Sequence, residues 1–259
     1  MARGVAEAYD VRAERILDAA ATLIVRLGYA KTTIDDIAHR AGVAKGTIYL
    51  HWKGRDALFV ALLRRERVLL MRDATARLAA EGDDPGPRAL VHALAASLTA
   101  RPLLRAVLIR DLDVIGKLAH DRHLNEALAA LPPGVPAAPG EGALRGYLDE
   151  LRALGAVRAD LDGDALMTIV TATFTGFFFT PWLRAELARP EDESVALLAD
   201  TIDRALAPAG PVAGQSDDVR ARVSAATTTF LGEALALAER KLAAAVAPPA
   251  GTPGGSTQK

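Results

Sequence analysis

"AGVAKGTIYLHWKGRDAL", from Ala41 to Leu58, is the stretch on which the reading of this chain turns. A glycine turn leads into a short run rich in hydrogen-bonding side chains. Lys53 and Arg55 follow, and no acid appears until Asp56. Upstream, Val11, Arg12, Ile16, Ala19, Ala20, Leu23 and Leu27 fall at helical spacing, and Gly28 stands where a left-handed cap would end that helix. Thr33 with Asp36 forms an approximate capping box. Asp35 and Asp36 sit in the first turn, where the helix dipole favours anions. The spacing predicts a short helix over about Ile34–Ala41 and a second over about Lys45–Trp52. A long amphipathic helix is predicted from about Arg55 to Glu81.

Two short helices across a glycine turn outline a helix-turn-helix, whose second helix reads the DNA major groove. The buried face is expected to be Val43, Ile48 and Trp52, packed on Ile34, Ile37 and Ala38. Lys45, Thr47, Tyr49, Leu50 and His51 are then expected to point outward. Between His39 and Arg55 stand Arg40, Lys45, Lys53 and Arg55 with no acid among them. Lys45 suits a phosphate or a guanine edge, and Gly46 permits close backbone approach. Thr47 and Tyr49 can donate to phosphate oxygens, Leu50 can meet a thymine methyl, and His51 can bond a phosphate. Lys53 and Arg55 flank a helix start, where unsatisfied N–H groups also favour phosphate.

The whole chain bounds this reading. It has 259 residues, a formal net charge of −1, 51% hydrophobic and only 5% aromatic residues, and no cysteine. DNA affinity must therefore come from a local patch, and disulfide, thiolate and cysteine–metal chemistry are excluded. No secretory leader is evident at the N-terminus. The longest apolar run, Ala165 to Leu183, is interrupted by threonines, Gly176 and Pro181, so no membrane segment is expected and a cytoplasmic location is. Helices are predicted from Arg88 to about Leu131 with one interruption at Arg101-Pro102. Others follow at about 143–154, 162–187, 191–207 and 217–246. "LPPGVPAAPGEG" reads as a loop. The fold class is all-α: a helix-turn-helix unit at 1–55, a larger helical body at 56–247 and a tail at 248–259.

At "TTIDDIAHRAGVAKGTIYLHWKGRDAL" the sequence resembles the TetR family of transcriptional regulators, over roughly Arg12 to Leu62. "ALGAVRADLDGDAL", Ala153–Leu166, resembles the family's entry into its penultimate core helix. Two departures stand out: Ala44 occupies the cap position where the family usually has Ser or Thr, and Trp52 stands where Phe is commoner. By resemblance the DNA-contact candidates are Thr33, Lys45, Gly46, Thr47, Tyr49, His51 and Arg55. The resemblance implies a homodimeric repressor on a palindromic double-stranded operator, released by a small lipophilic effector of unknown identity. It implies pairing of the helices at 162–187 and 191–207 with a partner's, with Val195, Leu198, Ile202 and Leu206 as an interface stripe. It also makes the helix from Arg55 the lever between pocket and reading head. The helix at 217–246 lies beyond the usual family end.

Pocket candidates come from "TIVTATFTGFFFTPW": Phe174, Phe177, Phe178 and Trp182. No cofactor is expected. His120 and His123, three apart, are the only histidine pair with metal spacing, and no metal site is assigned to them. The chain has no Walker-type phosphate loop and no Gly-x-Ser-x-Gly turn, so no enzyme is read here. Two alternatives remain: an activator or corepressor-dependent regulator, and a helical carrier or enzyme with a vestigial helix-turn-helix.

Overall fold

The computed structural model describes residues 2–82, 85–116, 139–208 and 216–246. All regular structure among them is helical. α1 (Ala2–Leu27), α2 (Ile34–Ala41) and α3 (Lys45–His51) form the N-terminal head, and α4 (Arg55–Ala80) leads out of it. α5 (Pro87–Thr99), α6 (Pro102–Leu108) and the single turn α7 (Leu112–Ile115) follow, then α8 (Pro139–Ala153), α9 (Gly163–Leu183), α10 (Glu191–Leu206) and α11 (Asp217–Val246).

Local chemistry sets most of the boundaries. α1 ends at Gly28 with φ +79°, and α2 ends at Gly42 with φ +64°, both left-handed. Pro87 and Pro102 stand in the first turns of their helices, where a missing N–H costs nothing. Asp162 caps α9 by accepting from the Ala165 N–H at 2.8 Å. The helix expected from Arg88 breaks a second time, at Ile109–Asp111, where Arg110 adopts φ +53°. The loop read at 131–142 already turns helical at Pro139. Residues 117–138, including His120 and His123, and the tail at 248–259 lie outside the described residues.

α4 is the central strut. It packs against α5 on one side and α11 on another, and α1 touches it near the head. α5 in turn carries α10, while α8 lies against α11 and α9. The apolar core runs through Ile16, Leu17 and Ile37 in the head, then Phe59, Leu62 and Leu70 on α4, to Leu98, Leu151 and Ile202. The stripe expected to face a partner, Val195, Leu198, Ile202 and Leu206, is buried within the subunit. The reason is α5: its own apolar face lies against α10 and takes up that stripe.

α9 is different. It has 21 residues and contains an 18-residue window of mean hydropathy 1.4, long and apolar enough to cross a membrane by length and composition only. Only Gly163, Leu166, Val170 and Phe174 of this helix are fully buried. Pro181 removes one backbone donor near its end, and the Thr180 hydroxyl bonds back to the Gly176 carbonyl at 2.7 Å.

Candidate nucleic-acid interface and cavity

The head is built from caps inward. Thr33 Oγ1 accepts from the Asp36 N–H at 3.1 Å, and Asp36 Oδ2 accepts from the Thr33 N–H at 3.1 Å, a complete capping box. The Thr33 hydroxyl also donates to Asp36 Oδ2 at 2.6 Å, and these bonds hold the Asp36 carboxyl below the usual carboxylate range. At the turn, Val43 N–H bonds the Ala38 carbonyl at 3.0 Å. Arg15 of α1 donates to the Ala41 carbonyl at 2.6 Å, tying the turn to the first helix. Ala44, the N-cap of α3, has extended backbone and no side-chain cap bond, as its residue type requires.

Ile48 and Trp52 are buried, and Val43 is half-buried against the same core, so the inward face matches the expectation. Outward, Lys45, Gly46, Tyr49 and Leu50 are exposed and Thr47 is half-exposed. A Cβ on Gly46 would meet nothing within 4 Å, so no internal contact requires glycine there. His51 is a correction. It is 6% exposed, its ring stacked on Trp52 at 5.2 Å. Being the last residue of a seven-residue helix, it has rotated round from the outer face onto the side that α3 buries.

Two other candidates are engaged within the protein. Lys45 Nζ lies 2.8 Å from Asp35 Oδ2, and this carboxylate raises the lysine pKa. The run from His39 to Arg55 holds no acid, but α2 folds one onto it. Arg55 donates to the Thr32 carbonyl at 3.1 Å, and its guanidinium lies 4.2 Å from the Tyr29 ring centroid. Tyr29 was missed in the sequence. Its ring packs on Phe59 at 4.9 Å and its hydroxyl donates to Asp56. Burial first, then the Asp56 bond, pushes its pKa up to about 12. The signal was its place directly after the helix-ending Gly28.

A cavity of about 470 Å³ opens between α6, α9 and α10. Phe177, Phe178, Pro181 and Trp182 supply one wall, and Arg105 and Glu191, paired at 3.3 Å, add charge to it. Phe174 is not part of the wall. It is 1% exposed, packed on Phe178 at 5.3 Å in the core, because it sits one turn round on the face that α9 buries. No α4 residue lines the cavity, so the expected lever does not touch it. Asp111 and Val114 do line it, and the Val114 carbonyl accepts from the Tyr29 N–H at 2.8 Å. The cavity wall thus reaches the head through α7, and directly at Val25 of α1.

Residues 16–62 match the model for bacterial regulatory proteins of the tetR family. Among curated proteins, the chain is 36% identical over 81 residues to the HTH-type transcriptional regulator SrpR of Pseudomonas putida, covering 31% of this chain and 38% of that one. It is 26% identical over 196 residues to the HTH-type transcriptional repressor Rv1474c of Mycobacterium tuberculosis, covering 75% and 92%. The match to SrpR thus spans under half of that relative's length. In fold, the chain is similar to a TetR-family regulator from Rhodococcus sp., with a TM-score of 0.55, 20% identity, and 76% and 98% coverage.

Proposed function

We propose that the chain is a TetR-family, homodimeric, ligand-responsive repressor of transcription in the cytoplasm, not an enzyme. Residues 1–55 read operator DNA, 56–247 bind effector and dimerise, and 248–259 form a tail. The observation that carries this reading is the outer face of α3. Lys45, Thr47, Tyr49 and Leu50 project from a turn held by the capping box, the Gly42 cap and the Arg15 bond, while Ile48 and Trp52 anchor the other face. A rigid short helix with an accessible polar and cationic face suits the major groove. Lys45 exchanges Asp35 for phosphate on binding.

The dimer interface is the half-exposed face of α9, with Trp182 and Leu183 at 54% and 61% exposure, in place of the α10 stripe. Two heads per dimer would then meet successive major grooves, about 34–36 Å apart. The effector enters the cavity beside Phe177, Phe178 and Trp182, a wall suited to a lipophilic molecule. Its presence shifts α7, and the Val114–Tyr29 hydrogen bond passes the shift to the head. A coupling of about 1–3 kcal/mol would change operator affinity several-fold to a hundredfold.

The test is selection of bound duplexes from a random DNA library by the purified protein, followed by sequencing. An enriched inverted repeat is expected. Enrichment of a single half-site would remove the symmetric dimer, and no enrichment, with or without cell extract, would remove the reading altogether. Enrichment only in the presence of extract would reverse the sign of the ligand effect.

A further inference from the structure

α11 lies along α4, and the two helices bury a cation that no acid among the described residues neutralises. Arg67 is 7% exposed, and its Nε and Nη1 have no hydrogen-bond partner among the described residues. Burial alone lowers its pKa to about 10, with no carboxylate offsetting it. Arg64, one turn earlier on α4, donates Nη1 to the backbone carbonyl of Lys241 at 3.2 Å, and its Nε has no partner among the described residues. The Lys241 amine is depressed by burial first and then by Arg67 and Arg64. Two cations of α4 and one of α11 therefore gather in one place.

Arg65, the next residue along, shows how this chain holds a buried guanidinium for structure alone. Its Nη1 lies 2.6 Å from Asp18 and 3.3 Å from Glu14, and its Nη2 lies 2.9 Å from Glu66. An unpaired buried charge is strongly unfavourable, so Arg67 calls for an anion from elsewhere. We propose that Arg67, with Arg64 and Lys241 beside it, forms an anion-binding site between α4 and α11 for one oxyanion, the carboxylate or phosphate group of a small ligand. The guanidinium fork meets either group with two parallel hydrogen bonds. The site is separate from the cavity, whose wall contains no residue of α4 or α11. An anion held there joins the last helix to the strut that carries the head.

The experiment is thermal unfolding of the full-length protein in chloride buffer, compared with phosphate and with octanoate at matched ionic strength and pH. At least one of the two should raise the wild-type Tm saturably, by on the order of 5 °C. A rise with phosphate alone marks a phosphate site, and with octanoate alone a carboxylate site. Arg67→Met should abolish the rise, while its Tm in chloride stays at or above wild type because an unpaired charge has gone. Arg67→Lys should keep a reduced rise. The proposal is overturned if neither anion moves the wild-type Tm, or if Arg67→Met responds as wild type does. It is equally overturned if Arg67→Met unfolds, or melts several degrees lower in chloride, since a protein group would then already hold the guanidinium.

Discussion

Tyr49 and Trp52 are three residues apart and do opposite work. Tyr49 is 49% exposed on the outer face of α3, while Trp52 is buried beneath it. Tyr49→Ala should therefore weaken operator binding about tenfold, roughly 1.4 kcal/mol, and leave the Tm unchanged. Trp52→Ala should cost about 3–5 kcal/mol of stability, read by denaturant unfolding, because a large buried side chain leaves a cavity. Asp35 is a residue whose role appears only in the fold. Its carboxylate holds Lys45 and would face DNA phosphates. Asp35→Asn should tighten DNA binding and steepen its salt dependence, as a titration at several salt concentrations would measure. Unchanged affinity would mean that Lys45 does not reach the backbone.

At the scale of the element, the recognition helix is short and poorly capped. Ala44 has the extended backbone of an N-cap but no side-chain oxygen to offer the first N–H groups. Ala44→Ser should add about 1 kcal/mol to the stability of the head. A loss instead would show that the new hydroxyl cannot reach the N–H of Thr47. The joint between α1 and α7 is tighter. Gly28 has φ +79°, and a Cβ there would come within 2.4 Å of the Asp113 carbonyl oxygen. Gly28→Ala should cost more than about 1 kcal/mol and weaken the link between cavity and head. In a DNA-binding assay this appears as a reduced effector response with operator binding retained.

The whole molecule adds a dependence on pH. Tyr29 is held protonated in the fold, with its pKa pushed from 10.0 to about 12. The unfolded chain sheds this proton near pH 10 while the folded chain keeps it. Its contribution is therefore full below pH 10 and is lost as pH rises toward 12. Tyr29→Phe should flatten the alkaline fall in Tm. The assembly is tested separately: Trp182→Glu with Leu183→Glu should yield monomers in sedimentation and abolish operator binding.

Where each helix begins and ends is governed by residues near in sequence. Thr33 with Asp36, Gly28, Gly42 and the first-turn prolines act within a turn of the boundary, so the end of α1, both ends of α2 and the break at Pro102 could be placed by reading alone. The inward pair Ile48 and Trp52 followed from the helical period. What a helix meets depends on residues far away in the chain. Only the fold turns the α10 stripe onto α5, swings His51 onto Trp52, and brings Asp35 to Lys45. Phe174 and Phe178 are one turn apart in sequence, yet only packing makes one core and the other cavity wall. Arg65 and Arg67 look alike in the sequence. Acids of α1 and α4 reach the first, and α11 covers the second without offering one. Backbone caps are local, whereas burial and charge pairing are set by neighbours that only tertiary contact supplies.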